Sequence, residues 1–476
     1  MSDTSAADAF LSAIGDGPAV RGRDQQPRYA LTELGLADRF EDRYSDLFRY
    51  CRDWNTWLTY DGARWVEDRK GAAEDAAQSI PQDIHEEAAR ETDSERRKEV
   101  GRFALKSETS RAVRATLELA RSRPVFAVTP EDFDQHSHLL NVANGTINLI
   151  SGQLRPHDPA DLITKVAPTV CDPAATCDRF TRFLEEALVD PKLIAWVQRY
   201  FGYCLTGSVS EQILTILYGS GANGKSVLVD VIGHVLGEYA QHARPEILLP
   251  SRAGTSNEGE ANLKGARLVF TSETGARSQF DEAKVKRLTG GDAIRAARKY
   301  GHEFEFSPTH KLVLQTNHKP RIEGTDYAIW RRIRLVPFEQ TFRGPDADPA
   351  LPDRLRQEAS GILNWLIEGC LMWQEDGLEP PDIVLAATEA YRSESDVLGA
   401  FIDECCETDS SLPAAASSLY RAYTDWCHEN GESAENQRRF SQRMQERGFD
   451  KKRTAAGVMY QGIGLKLSPN ATSSVG

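Results

Sequence analysis

One stretch, Gln212 to Leu236, limits more than any other what this chain of 476 residues can fold into. An apolar run, Ile213 to Tyr218, enters Gly219-Ser220-Gly221-Ala222-Asn223-Gly224-Lys225-Ser226 and leaves through Val227 to Ile232, which is too apolar for a surface loop. The glycine and lysine positions fit G-x-x-x-x-G-K-[ST], the loop that cradles phosphates. Glycines let successive backbone N–H groups turn inward on an anion. The helix that starts at Gly224 points its positive dipole end at the same phosphates. Lys225 would reach the β- and γ-phosphates of a nucleotide, and the Ser226 hydroxyl would ligate Mg²⁺. The competing reading is a plain glycine turn; a strand before it and a helix after it are the context that favours the phosphate loop.

Two more apolar strands follow. Arg267 to Ser272 ends in Glu273, placed to orient an attacking water and to help hold Mg²⁺. Lys311 to Thr316 ends in Asn317, whose amide can hold that water or the γ-phosphate. The pair Arg331-Arg332 lies shortly beyond and offers a cation to a transition state, in its own subunit or in a neighbour's site. Between the two strands, Ile294–Tyr300 and His302–Phe306 read as a projecting hairpin with Arg298, Lys299 and His302 at its tip. Basic residues there suit a phosphate backbone.

The flanks read differently. Residues 1–28 lack periodicity and suggest a loose arm. Leu31–Phe40 suggests a helix, and Leu47–Tyr50, Trp57–Tyr60 and Arg64–Val66 suggest strands. Trp54, Trp57, Tyr60 and Trp65 form a small aromatic core on the simplest reading, or stack bases on the other. Residues 69–125 are helical and charged, with an interruption expected at Pro81. An Asn-Gly turn is expected at Asn144-Gly145, in a hairpin over 141–149. Residues 178–207 make two helices. Past Ser395, Leu398–Cys406, Pro413–Asn430 and Gln437–Arg447 read as helices and Phe449–Lys466 as a hairpin. Three helices and a basic hairpin suggest a winged helix. Its candidate DNA-facing residues are Arg438, Arg439, Arg443, Lys451, Lys452 and Arg453.

The order of these motifs resembles that of the superfamily 3 helicases, specifically the phage/plasmid primase or poxvirus-type helicase–primase family. The residues that carry the resemblance are Gly219–Ser226, Ser272-Glu273, Lys286–Asp292, Thr316–Pro320 and Ala328–Phe338. It implies an α/β fold: an AAA+-type P-loop ATPase core, a mostly helical N-terminal domain and a C-terminal winged-helix-like domain. The implied division is 1–28 arm, 29–178 N-terminal domain, 179–207 helical collar, 208–345 ATPase, 346–394 helical lid, 395–468 winged-helix-like domain and 469–476 tail. It implies ATP and Mg²⁺ held by the loop, Glu273 as second acidic motif and Asn317 as sensor. Arg331 or Arg332 would be the finger, with Lys299 near a hairpin tip on single-stranded DNA. A hexameric ring moving 3′ to 5′ on single-stranded and forked DNA, with a separate primase and other replication proteins, completes the implication. Ser272 stands where many relatives carry a second acid. Only some 30 residues precede the resemblance, so no intrinsic primase activity is expected.

Composition narrows the alternatives. The 27% charged and 40% hydrophobic content is that of a globular protein. No apolar run spans a bilayer and no secretion signal is visible, so a bacterial host cytoplasm is expected, without a membrane partner. The net charge of −14 argues against a protein that coats nucleic acid with its whole surface, so basic sites must be local. Eight scattered cysteines without a C-x-x-C pair read as ordinary thiols. An ATP-assembled DNA-binding initiator without processive unwinding is the alternative function. A small-molecule P-loop kinase would need neither the arginine pair nor the hairpin.

Overall fold

The computed structural model describes residues 29–250, 258–272, 275, 278–297, 303–324, 327–344, 347–455 and 457–466. The fold is mixed α/β. Its centre is a five-stranded parallel sheet, whose strands are numbered in chain order: β1 (Leu214–Tyr218), β2 (Ala240–Ala243), β3 (Leu268–Ser272), β4 (Lys311–Thr316) and β5 (Ile333–Pro337). They lie in the order β5-β1-β4-β3-β2. Every pairing is parallel, with Leu214 opposite both Leu312 and Ile333, and Leu268 opposite both Lys311 and Ala240. Parallel strands covered on both faces need continuous apolar runs, which β1, β3 and β4 supply. The chain leaves β1 and returns at the sheet's far edge as β2, so β1 lies where the strand order reverses. Ligands of open α/β sheets bind outside the carboxyl ends of strands at such a point.

Helix Lys225–Leu236 follows β1 and buries Leu228, Val229, Val231, Ile232, Val235 and Leu236 between the sheet and later helices. At about 1.5–3 kcal/mol per large apolar side chain, that burial anchors the loop before it. The two helices expected ahead of β1 form at Asp178–Leu188 and Pro191–Cys204. The second crosses helix Ala359–Asp376 where Gly202 meets the backbone of Gly369 and Cys370; a Cβ on Gly202 would strike that backbone.

The N-terminal part holds a sheet in the order Trp65–Glu67, Thr56–Tyr60, Phe48–Cys51 and Ala127–Val128, packed under helices Glu33–Tyr44, Ala72–Arg90, Ser94–Ser107 and Ser110–Ala120. Trp57 packs edge-on to Phe40, Phe48 and Phe126, and Trp65 is buried, so most of the aromatic group is core. Two local expectations need correction. Helix Ala72–Arg90 runs through Pro81 without a break. The interior proline costs about 3 kcal/mol, which is offset because Ala77, Ile80, Pro81, Ile84 and Ala88 are all buried along one face. The hairpin turn is Ala143-Asn144, with Gly145 already paired to Val142. Gly145 is needed instead because a Cβ would strike the carbonyl of Arg155 on the neighbouring strand Gln153–Arg155.

The C-terminal part has helices Val397–Cys405, Ala416–Glu429 and Gln437–Glu446 and an antiparallel sheet ordered Pro413–Ala415, Gly457–Gln461, Lys451–Thr454. Pro413–Ala415, expected to be helical, is that sheet's edge strand, a position proline tolerates. Phe401, Leu419, Tyr423, Phe440, Met444 and Tyr460 fill its core. No helix among the described residues is long and apolar enough to cross a membrane.

Candidate functional site

The loop after β1 takes the backbone conformation its glycines permit. Gly221, Ala222 and Gly224 have φ of +105°, +53° and +85°. A Cβ on Gly224 would also lie 2.8 Å from the Phe183 ring, so the preceding helix rests on the loop. Lys225 is only 3% exposed. Its Nζ donates to the Gly219 carbonyl at 2.8 Å, to Asn223 Oδ1 at 2.7 Å and to Asn317 Oδ1 at 3.0 Å. Asn223 is fixed in turn, its Nδ2 donating to the Phe338 carbonyl at 3.1 Å. The Phe342 N–H donates to the Ala222 carbonyl at 2.7 Å. The chain past β5 therefore braces the loop from outside. Helix Lys225–Leu236 begins here with N–H groups that have no partner within the helix, the usual arrangement at an anion site.

Asn317 and Lys225, 92 residues apart, are thus brought together. Ser226 is exposed, and Gln315 Nε2 donates to its Oγ at 2.6 Å. Gln315 was not singled out from sequence; its place one strand from the loop, opposite Ser272 in register, is set by the β3–β4 and β1–β4 pairings. Glu273 lies outside the described residues, directly after Ser272.

Arg331 and Arg332 precede β5 and so sit at the amino end of the sheet. Arg331 Nη2 donates to Gln212 Oε1 at 3.0 Å, ahead of β1. At about 3.3 Å per residue, the length of β1 puts that contact roughly 20 Å from the glycine loop. A role for these arginines at the loop of their own subunit is therefore excluded. Arg332 is buried, its Nη1 donating to the Ala328 carbonyl at 2.6 Å, whereas Arg331 is exposed.

A cleft of about 750 Å³ opens beside the loop, lined by Leu188, Val189, Pro191, Pro337, Gln340 and Ile383 among others. Val189 is 59% exposed there and has φ of +62°, a conformation rare for a β-branched residue. Sequence reading missed it because nothing in the local pattern marks a strained valine.

The basic residues divide. Strands Ile294–Ala297 and Glu303–Phe306 pair as the expected hairpin, while Arg298, Lys299 and His302 lie outside the described residues. In the C-terminal part Arg438, Lys451, Lys452 and Arg453 are exposed. Arg439 is ion-paired with Glu323 of the preceding part. Arg443, expected to face DNA, is a correction: it is 8% exposed and held by Glu435 at 2.6 Å and Asp396 at 3.2 Å. Its position on the helix turns it inward, where burial demands carboxylate partners.

Two buried cations were also missed, at the amino ends of β3 and β4. Arg267 Nη1 donates to the Leu205 carbonyl at 2.5 Å and Nη2 to that of Leu139. Lys311 Nζ donates to the carbonyls of Thr206 and, at 3.1 Å, Thr309, and lies 5.0 Å from the Tyr203 ring centre. Burial pushes Lys311 down to about 7. Burial, and then Lys311 itself, push the neighbouring His310 down to about 4.

Three family descriptions match the chain: "D5 N terminal like" over residues 37–189, a family of unknown function over 217–332, and "Poxvirus D5 protein-like" over 393–462. A protein of Acanthamoeba polyphaga mimivirus, provisionally named a helicase, is 26% identical over 324 residues, 63% of this chain and 34% of that one. A Frog virus 3 protein, also provisionally named a helicase, is 28% identical over 244 residues, covering 47% of this chain and 25% of its own length. A protein of African swine fever virus, provisionally named a primase, is 24% identical over 329 residues, 63% and 34% of the two chains. The chain thus spans between a quarter and about a third of the length of these relatives. Among solved structures, the apo C-terminal region of NrS-1 is 10% identical with a TM-score of 0.48, over 88% of this chain and 96% of that one.

Proposed function

The chain belongs to the D5-type helicase–primase family, and from that premise we propose that it is an ATP-driven DNA helicase, a ring translocase built on an AAA+-type P-loop core. The observation that carries this reading is Lys225, held among three oxygens inside a glycine loop at the carboxyl end of β1, with Asn317 of the adjacent strand as one of the three. A buried ammonium that donates to a loop carbonyl and two side-chain amides can exchange these contacts for phosphate oxygens. Loop and helix N–H groups would bind the remaining phosphate charge. The purine would sit in that cleft against Val189, Pro191 and Ile383, where Asp190, Glu339 and Asp382 also line the walls.

An exposed Ser226 hydroxyl at the loop supports Mg²⁺ held in the manner usual for nucleotide sites, where one or two side chains bind it together with phosphates and water. Ser226 and Glu273 would hold it, and when bound it would neutralise charge developing on the transferring phosphoryl group. Gln315, by donating to Ser226 Oγ, engages one lone pair of that oxygen and leaves the other for a ligand. Glu273 would orient water in line with the γ-phosphate, and Asn317, released from Lys225, would hold the far side. Arg331, exposed and out of reach of its own loop, would complete the site of a neighbouring subunit, which requires a ring; we take it to be hexameric. Hairpins carrying Arg298, Lys299 and His302 would line the pore and draw one strand through, 3′ to 5′. The C-terminal part would act as a winged helix, with Arg438, Lys451, Lys452 and Arg453 toward DNA.

A second reading, an ATP-assembled origin-binding initiator, is favoured by that exposed basic strand alone. The deciding experiment is Lys225→Ala. Hydrolysis and strand separation should both fall to background while circular dichroism and the melting profile persist. Hydrolysis at the parental rate would sink the assigned phosphate contact.

A further inference from the structure

A second cleft, of about 640 Å³, lies on the opposite side of the molecule from the phosphate loop, between the N-terminal part and the amino ends of β3 and β4. Its rim is Glu305 to Thr309, the chain leaving the projecting hairpin and entering β4. One wall is aromatic. Trp54, which belongs to the group read from sequence mainly as core, is 45% exposed and stacks on buried Phe133, with ring centres 5.7 Å apart and planes at 13°. A tryptophan held flat by a ring beneath it, with one face left to solvent, is a stacking platform rather than core.

The floor is cationic. Lys165, Lys264 and Arg267 line it. Among the described residues none of the three has a carboxylate ion-pair partner, and the Lys165 ammonium has no hydrogen-bond acceptor. Gly265, with φ of +71°, makes room for Lys165, since a Cβ there would lie 2.8 Å from Lys165 Cε. Three acids also line the cleft. Asp134 accepts from the backbone N–H and hydroxyl of Thr164, at 2.8 and 2.5 Å, and keeps its charge near Lys165, while Glu305 pairs with Arg295 at 3.2 Å, so Asp134 and Glu131 stand against three cations. The balance on the floor is positive, and it lines the same cleft as the flat aromatic face.

We propose that this cleft binds one nucleotide unit of a single strand, its base stacked on Trp54 and its phosphate held by Lys165 and Lys264. The base must be unpaired, because in a duplex both faces are already stacked. A strand occupies the cleft rather than a free nucleotide because the rim is the foot of the hairpin assigned to the strand, so the choice of ligand rests on the translocase reading. Stacking on an aromatic side chain tolerates any base, so the site carries no sequence preference.

The test uses the full chain without nucleotide and a fluorescently labelled twenty-residue oligothymidylate, read by anisotropy. Trp54→Ala should weaken binding by about 5- to 140-fold, the range expected of one base–aromatic stack, and Trp54→Phe should retain most of the affinity. Lys165→Gln with Lys264→Gln should lower the slope of log affinity against log salt by about 0.7, for the one phosphate contact the pair makes. DNA-independent ATP hydrolysis should not change in any of these. Unaltered affinity and salt slope in folded variants would overturn the site, and displacement of the oligonucleotide by an equal nucleotide concentration of thymidine monophosphate would overturn the strand as its occupant. If Trp54→Ala weakens binding in a chain that hydrolyses no ATP, the cleft stands and the motor reading falls. If Lys225→Ala abolishes hydrolysis while Trp54→Ala binds normally, the reverse holds.

Discussion

Lys225 and Lys311 are buried lysines at the two ends of the same sheet, each 3% exposed, and they do opposite things. At the carboxyl end, Lys225 is surrounded by a glycine loop, two side-chain amides and an open cleft. A ligand can take the place of each of these contacts. At the amino end, Lys311 and Arg267 donate to the carbonyls of Leu205 and Thr206, just past helix Pro191–Cys204. Carbonyls at a helix C-terminus lack intrahelical donors and carry the negative end of its dipole, so the two cations cap that helix. Arg267 also reaches the Leu139 carbonyl, joining the N-terminal part to the sheet. The contrast teaches that a buried cation is not by itself a mark of function. What its partners could be exchanged for decides.

The largest effect that separates the two ends is on turnover. Lys225→Ala should reduce hydrolysis to background with little change in melting, whereas Lys311→Ala should lower the melting temperature and leave turnover per folded molecule nearly intact. A loss of turnover in both, at equal folded fraction, would break the comparison. Next comes Arg331, at the amino end yet assigned to catalysis. Arg331→Ala should slow hydrolysis by about 10³-fold, the lower range for an arginine supplied in trans. Mixing it with Lys225→Ala should restore part of the activity, because some interfaces then pair an intact loop with an intact arginine. Failure to complement, in rings shown to be mixed, would count against the neighbour's site.

Smaller effects concern stability. Arg267→Ala strips the donors from buried carbonyls and should cost about 3 kcal/mol, read from the shift of a urea midpoint. The smallest is pH dependence. His310 titrates at about 4 in the folded chain against an ordinary 6.5, so the unfolded chain binds more protons between these values. Stability therefore rises with pH across that window and is lost as pH falls from 6.5 toward 4. Lys311 adds the same sign between about 7 and 10.5. His310→Phe should flatten the acid limb by up to one proton, and among the described residues neither ring nitrogen makes a geometrically sound hydrogen bond that the change would lose. An unchanged slope would show that His310 is not what makes this end acid-sensitive.

Much of the organisation is legible in the sequence because it depends on short-range rules. The apolar runs of β1, β3 and β4 have no way to bury themselves except in a covered parallel sheet. Gly221 and Gly224 supply the positive φ values of the loop, and Asn317 follows an apolar strand, so its place at a strand end is visible. Proline misleads in two places for one reason. Local propensity breaks a helix at Pro81 and starts one at Pro413, whereas packing overrides it in the first case and an edge-strand position accommodates proline in the second.

What only the tertiary structure decided is which charges face inward and what they meet. Arg438 and Arg443 look alike on one helix, yet one is exposed and the other is clamped by Glu435 and Asp396 from outside that helix. Arg267 and Lys311 read as charged strand ends, and their burial follows from a helix and a hairpin that arrive from more than 60 residues away. Gln315 touches Ser226 only because β4 lies beside β1. The physical reason is the same throughout. Backbone geometry and hydrophobic period are set within a few residues, whereas desolvation and pairing of a charge are set by whichever distant segment closes over it.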